Sequence, residues 1–146
     1  MIDFFTKEQG NQIIQAIRAA EKNTSGEIRV HIEADCEGEI VEAAWHTFYL
    51  LKMDKTAAKN GVLFFIAPEC KQFAVIGDAG INDLVPSDFW SDIRDSMVQH
   101  FRQNDYATGV CKGIARVGER LKVYFPYQSD DINELPDEIS YSKRKK

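Results

Sequence analysis

Oxygen-bearing side chains are concentrated on two glycine-containing loops near the middle of the chain. Asn60 precedes a glycine, and Asp78 lies between glycines and is followed by Asn82 and Asp83. Calcium and magnesium prefer carboxylate, amide and main-chain oxygens as ligands, so these residue types indicate a site for a hard divalent cation. Asn-Gly and Gly-Asp pairs are also common turn formers, because they tolerate positive φ and bond to their own backbone. The composition alone leaves both interpretations open and favours the turn.

Two predicted strands bring these loops together. Gly61 to Ala67 is an unbroken apolar run rich in branched and aromatic residues, which is typical of a strand buried on both faces. Pro68 to Lys71 is a turn signal, and Phe73 to Ile76 is a second β-prone run that follows too closely for a crossover helix. The two strands must therefore be antiparallel. The end of the second strand then returns beside the start of the first, which places Asp78 near Asn60.

This geometry ranks the candidate cation ligands. Asp78 is predicted to be the central ligand, because it directly follows the second strand and neighbouring glycines let the loop curl its carbonyls inward. Asp83 is the second carboxylate, and Asn60 is expected nearby. Glu27 begins the neighbouring parallel strand at the same edge of the sheet. Asp88 is a reserve candidate, although it lies at a helix start, where capping explains an acidic residue without any metal.

The first half of the chain alternates helices and strands. A capping-box pattern begins a helix from about Lys7 to Glu21. Glu27 to Ala34 alternates apolar and polar residues, which is typical of an edge strand and places His31 in a partly exposed row without a catalytic role. An amphipathic helix from Glu39 to Met53 connects this strand to the central one, so the two strands are expected to be parallel.

Two more helices follow the strand pair. One opens after Val85 to Asp88, and the other is capped by Asn104 and Asp105 and extends to Leu121. The second helix contains two glycines four residues apart, Gly109 and Gly113. Glycine lowers helix propensity, so this spacing predicts that the backbone packs closely against another element there.

The order of these elements predicts an α/β fold. We expect a three-layer α/β/α sandwich with a small mixed sheet, the Gly61–Ala67 strand in the centre and helices on both faces. Residues 1–126 are predicted to form the domain. Residues 127–146 are acidic and then basic with little apolar content, so they are predicted to be a mobile tail.

Composition limits the functional classes. The 146 residues suffice for one domain with its own core, and a net charge of −5 argues against nucleic-acid binding and favours cations. No signal peptide and no apolar run of about 18 residues is evident, so we expect a cytoplasmic protein that does not insert into membranes. Cys36, Cys70 and Cys111 are an odd number without C-x-x-C spacing, which favours buried free thiols in a reducing compartment.

Four segments in order, from about Ile13 to Leu121, resemble the TPM-domain family. That family was formerly a domain of unknown function and includes a thylakoid-lumen protein of photosystem II repair and many bacterial proteins. The resemblance implies an α/β/α sandwich, binding of divalent cations, calcium in particular, in some members, and an acid phosphatase activity proposed for the plant branch. Most members are secreted or membrane-anchored, which this chain is not expected to be. The matching segments are Thr24-x-Gly26-Glu27-Ile28-x-Val30, Asn60 to Pro68, Gly77-Asp78-x-Gly80-Ile81 and Phe101-Arg102-x-x-x-Tyr106-x-x-Gly109.

The residues offer little support for catalysis. A cysteine phosphatase needs five residues between its thiolate and its arginine, and Cys111 and Arg116 have one too few and lie in a predicted helix. No D-x-D pair, G-x-S-x-G elbow or Walker loop is present. Together with the calcium binding that the resemblance implies, this leads us to expect a calcium-binding, non-catalytic module, with magnesium as an alternative ion and a protein as a further partner. The alternative is metal-dependent phosphomonoester hydrolysis by a cation at Asp78 and Asp83.

Overall fold

A computed structural model describes residues 4–35, 37–127 and 135–142 of the chain. Their helices and strands agree with the predicted order, with two short elements in addition, α3 and β4. Two single 3-10 turns, Met53–Lys55 and Pro68–Cys70, lie on either side of β2. The elements are α1 (Lys7–Glu21), β1 (Glu27–Ile32), α2 (Ile40–Leu50), β2 (Gly61–Ala67), β3 (Gln72–Gly77), α3 (Ala79–Asn82), α4 (Phe89–Arg102), α5 (Tyr106–Leu121) and β4 (Ser140–Tyr141).

The sheet is mixed, with strand order β3-β2-β1-β4. β1 and β2 are parallel, with Glu27 opposite Gly61, as expected for strands joined by a crossover helix. β2 and β3 are antiparallel, with Val62 opposite Gly77. All seven residues of β2 are buried. The central position of Gly61–Ala67 and the antiparallel pair are therefore confirmed.

Helices cover both faces of the sheet. Alternate residues of the strands, such as Val30 and Phe64, pack into a core with α1, α4 and α5. The residues between them, such as Leu63 and Phe65, pack with Phe48 of α2 on the opposite face. Because side chains alternate along a strand, a β2 made only of apolar residues can serve both cores. This arrangement is the predicted three-layer α/β/α sandwich.

The first strand is more buried than its alternating sequence predicts. All six residues of β1 are buried, and His31 is only 5% exposed, so the expectation of a partly exposed histidine is wrong. β4 pairs in parallel with β1 at His31 and Ile32, so β1 is flanked on both sides there. The physical reason is a segment from the end of the chain, which covers a polar row that would otherwise face water.

Part of the predicted tail contributes to the domain. Residues 135–142 contain β4, and Leu135 is 8% exposed and packs in the core on the α2 side. Ser142 N donates a hydrogen bond to Ile32 O at 3.0 Å. The domain boundary at residue 126 stays a prediction, and residues 128–134 and 143–146 lie outside the described chain.

The glycines of α5 confirm the predicted close packing. A Cβ atom at Gly109 would lie 2.5 Å from the Phe101 ring, and one at Gly113 would lie 2.6 Å from Met97 Sδ. Both contacts are with α4, so the absence of a side chain at these two positions, one turn apart on α5, allows the two helices to approach each other.

The cysteines differ from expectation. Cys70 is disulfide-bonded, so the prediction of a free thiol is wrong at this position. Cys111 is free and half-buried, and burial raises the pKa of its thiol. Cys36 lies outside the described residues. The reducing compartment that the cysteine count indicated stays a prediction. Among the described residues, no helix is long and apolar enough to cross a membrane.

Candidate functional site

The edge of the sheet at the start of β1 and β2 collects three of the predicted ligands. Asp78 N donates to Gly61 O at 3.0 Å, and Glu27 N donates to Asn60 O at 3.1 Å. These backbone hydrogen bonds hold Glu27, Asn60 and Asp78 on adjacent strands. Their exposed fractions are 4%, 3% and 9% respectively, so all three polar side chains are buried. The strand pairing inferred from the sequence therefore predicted their positions correctly.

The carboxylate of Asp78 uses only one of its oxygens within the described chain. Oδ1 accepts a hydrogen bond from Ala79 N at 2.7 Å and caps the four-residue helix α3, where the sequence had indicated an open loop. Oδ2 is buried and has no hydrogen-bond partner among the described residues. A buried polar oxygen without a partner loses its hydration without compensation, at a cost of about 1–3 kcal/mol. A bound cation would supply that compensation.

Gly80 has a different role from the predicted one. A Cβ atom at this position would lie 2.4 Å from Ala58 O and 2.5 Å from Lys59 O. Lys59 itself has a positive φ of 52°. The absence of a side chain at Gly80 therefore lets the carbonyls of the loop before β2 come close to α3. This brings main-chain oxygens to the same edge as Asp78.

The two asparagines of this edge are held by different contacts. Asn60 Nδ2 donates to Ser25 O at 3.1 Å, so Oδ1 is the side-chain atom of Asn60 that could serve as a ligand. Asn82 Oδ1 accepts from Trp90 Nε1 at 2.8 Å, and its Nδ2 donates to Gly77 O at 2.7 Å. Asn82 therefore joins α3 to α4 and β3, and its amide is committed to the fold.

The remaining two predicted ligands lie at the surface. Asp83 is exposed and follows α3 as its C-cap residue. Asp88 is exposed at the N-cap position of α4, but its side chain makes no capping hydrogen bond. Within residues 4–35, 37–127 and 135–142, no group of three or more His, Cys, Asp or Glu side chains could hold a metal. A site at this edge would therefore depend on Asp78 together with amide and main-chain oxygens.

A second group of carboxyl side chains lies beside this edge, and two of its members, Glu21 and Asp137, were not found from the sequence. Burial, a hydrogen bond with Asp137 and the nearby charges of Asp137 and Glu27 together raise the pKa of Glu21 from 4.5 to about 9. Glu21 Oε2 accepts a hydrogen bond from Ile28 N at 3.1 Å, which favours the charged form and opposes the shift. Glu21, Glu27 and Asp137 line a cavity of about 330 Å³. The sequence gives no signal for this group, because Glu21 and Asp137 are 116 residues apart.

The buried His31 is hydrogen-bonded through both ring nitrogens. Nε2 lies 3.2 Å from Glu33 Oε1, so the ring donates there, and Nδ1 lies 2.9 Å from Ser140 Oγ and accepts from the hydroxyl. Burial lowers the pKa of His31, although Glu33 partly opposes the shift. This order of hydroxyl, imidazole and carboxylate resembles a catalytic triad. None of the three side chains lines the cavity beside Glu21 or the larger cavity described below, so we interpret them as anchors of β4.

Comparison with known proteins identifies relatives of this arrangement. Residues 2–120 match the TPM domain. The structure is similar to the NMR structure of BA42 protein from the psychrophilic bacterium Bizionia argentinensis, with a TM-score of 0.92 and 46% identity over 97% of this chain and 98% of that chain. No match is found among proteins with curated functions.

Two more distant structures share the fold alone. The N-terminal domain of cg2496 protein from Corynebacterium glutamicum has a TM-score of 0.65 and 13% identity, over 97% of this chain and 82% of that chain. The N-terminal domain of a protein from P. gingivalis has a TM-score of 0.69 and 19% identity, over 83% of this chain and 78% of that chain.

Proposed function

This chain belongs to the TPM-domain family, and we propose that it binds a divalent cation, principally calcium, at the sheet edge around Asp78. The observation that carries the proposal is the buried Asp78 Oδ2, which has no hydrogen-bond partner among the described residues. The other carboxylate oxygen caps α3, so the side chain is fixed in place before an ion arrives. A calcium ion would use the oxygen that the fold leaves without a partner.

The proposed ligands define the kind of site. Asp78 supplies the carboxylate, Asn60 an amide oxygen, and the loop near Gly80 main-chain oxygens, which are the ligand types that calcium prefers. Asp83 and Glu27 stay predicted ligands, and Asp88, which is exposed at the start of α4, stays a reserve candidate that the proposed site does not use. Calcium takes six to eight oxygens, so water would complete the coordination shell, and a site with few protein carboxylates binds weakly, with Kd of about 10⁻⁴–10⁻³ M. Magnesium, which retains several waters, is the alternative ion.

We further propose that the role is regulatory or a protein interaction, and not catalysis. Asp78, Asn60 and the carbonyls near Gly80 are oxygen groups of the kind that coordinate a cation, and we assign none of them a catalytic role. A cation there would link α3 to the loop before β2. Binding would therefore stabilise this edge as a surface for a partner protein. Metal-dependent phosphatase activity remains the alternative that the experiment below also tests.

The decisive experiment is a calcium titration followed by amide NMR shifts, with Asp78→Asn as the test variant. Asparagine retains an oxygen that can cap α3, so the fold should persist while the charged oxygen is lost. In the parent, calcium should shift the amides around residues 58–62 and 77–83 and raise the unfolding free energy by about 1.4 kcal/mol at tenfold over Kd. Asp78→Asn should show neither effect.

Asp88→Asn is the matched control, because it removes an exposed carboxylate at a helix start without a capping bond. It should bind calcium like the parent. Without added cation, Asp78→Asn should be at least as stable as the parent, since it removes a buried charge. Unchanged calcium binding by Asp78→Asn would refute the site. Turnover of p-nitrophenyl phosphate that depends on calcium and on Asp78 would establish the hydrolase alternative.

A further inference from the structure

A larger cavity lies at the opposite end of the sheet from Asp78. Its volume is about 410 Å³, which is within the range of about 300–1,000 Å³ typical of small-molecule sites. The residues come from the start of β3, the end of α4 and the start of α5. The lining residues are Lys71, Phe73, Val98, Phe101, Arg102, Asn104 and Tyr106.

The cavity lies at the end of the sheet where β3 begins. Gln72 at the start of β3 is opposite Ala67 at the end of β2, and Asp78 follows the other end of β3. β3 has six residues, so at about 3.3 Å per residue the cavity lies roughly 17–20 Å from Asp78. The two sites are therefore separate.

The lining combines positive charge with aromatic surface. Lys71 and Arg102 are both exposed, and none of the seven lining residues is acidic, although the whole chain has a net charge of −5. Each cation can attract an anionic group, and Arg can hold a carboxylate with two hydrogen bonds. The charge of this cavity is therefore opposite to that of the chain as a whole.

The aromatic side chains are held in a fixed arrangement. The Phe73 and Phe101 rings meet edge to face, with centroids 4.7 Å apart, and the Phe101 and Tyr106 centroids are 4.8 Å apart. Gly109 allows this arrangement, because a Cβ atom there would lie 2.5 Å from the Phe101 ring. A rigid aromatic wall loses little conformational entropy when it contacts the apolar part of a ligand.

We propose that this cavity binds a small molecule with an aromatic or branched apolar body and one carboxylate. The rings of Phe73, Phe101 and Tyr106 would contact the apolar body, and Lys71 and Arg102 would bind the carboxylate. A bare inorganic anion would leave the aromatic wall without a contact, and a neutral aromatic compound would leave both cations without a partner. This proposal does not depend on cation binding at Asp78.

The test uses 3-phenylpropionate as the probe, with 3-phenylpropanol and acetate as partial probes and EDTA present throughout. Amide NMR shifts should locate 3-phenylpropionate at Lys71, Phe73 and the residues from Phe101 to Tyr106. We expect millimolar affinity, with the alcohol and acetate each binding at least about fivefold more weakly, which corresponds to loss of one charge-assisted or apolar contact.

Lys71→Ala combined with Arg102→Ala should weaken binding of 3-phenylpropionate at least about fivefold and leave binding of the alcohol unchanged. Both positions are exposed, so the fold should tolerate the change. The matched control combines Arg94→Ala and Lys112→Ala, two exposed cations that do not line the cavity, and it should bind like the parent. Absence of shifts at 10 mM, shifts located elsewhere, or equal binding by the Lys71/Arg102 double variant and the parent would each overturn the proposal.

Discussion

Replacing Glu21 by glutamine should remove a specific pH dependence of stability. Glu21 is held between Ile28 N and Asp137, and its pKa is raised to about 9 by burial and by that neighbouring carboxyl group. Glutamine has nearly the same shape. Its Oε1 can accept from Ile28 N and its Nε2 can donate to Asp137, so the substitution changes the titration while it preserves both hydrogen bonds.

The direction of this pH dependence follows from the number of protons that the folded and the unfolded chain bind. Between pH 4.5 and about 9, folded Glu21 holds a proton that the unfolded chain has lost. Unfolding then releases a proton, so the stabilisation present below pH 4.5 is lost as pH rises towards 9. The slope is at most about 1.4 kcal/mol per pH unit. Because the Glu21 side chain is only partly buried, screening by solvent reduces the accumulated effect, and we expect about 2 kcal/mol by pH 8.

Urea unfolding at constant ionic strength from pH 5 to pH 8.5 measures this effect. The parent and Glu21→Gln should have similar unfolding free energies near pH 5, and the variant should become the more stable protein by about 2 kcal/mol at pH 8. Glu119→Gln, an exposed change on α5, should differ from the parent by a constant amount. If the curves of parent and Glu21→Gln are parallel across the range, Glu21 is ionised in the folded state and the reasoning is wrong.

Two further changes test the packing around the site. Burial lowers the pKa of His31 below 6.5, so the unfolded chain binds a proton that the folded chain does not, and stability should fall below about pH 6.5. His31→Gln should make the melting temperatures at pH 5 and pH 7 more alike than in the parent, and an unchanged difference would contradict this. Gly113→Ala should cost about 1–3 kcal/mol in urea unfolding, because its Cβ would lie 2.6 Å from Met97 Sδ. Gly10→Ala, a helix position with its nearest contact at 3.8 Å, should instead stabilise by about 0.5–1 kcal/mol, so equal effects of the two would refute the packing argument.

The features that the sequence predicts well are those with local causes. The capping box at Thr6 and Gln9 set the start of α1 correctly, because both reciprocal hydrogen bonds lie within one turn. The apolar run of β2 and the short turn after it were enough to infer an antiparallel pair. Each of these features depends on residues that are neighbours in the chain.

The missed features have long-range causes. β4 has only two residues, and its pairing with β1 joins positions 109 residues apart, so no local pattern indicates it. The same segment buries His31, which the alternation of β1 alone had placed partly in solvent. Glu21 and Asp137 meet because Asp137 lies in this same segment of residues 135–142. The segment of residues 135–142 therefore changes the environment of His31 and Glu21, although the local sequence pattern around each of them predicts the correct strand or helix.

Asp78 combines the two interpretations that its sequence context left open. Strand pairing fixes where its backbone lies, which is why the sequence could place it beside Asn60 and Glu27. The direction and burial of its side chain depend on α3, a four-residue helix that local patterns do not predict. One carboxylate oxygen is the turn former, because it caps α3. The other is buried without a hydrogen-bond partner among the described residues, so capping accounts for one oxygen, and the cation that we propose would account for the second.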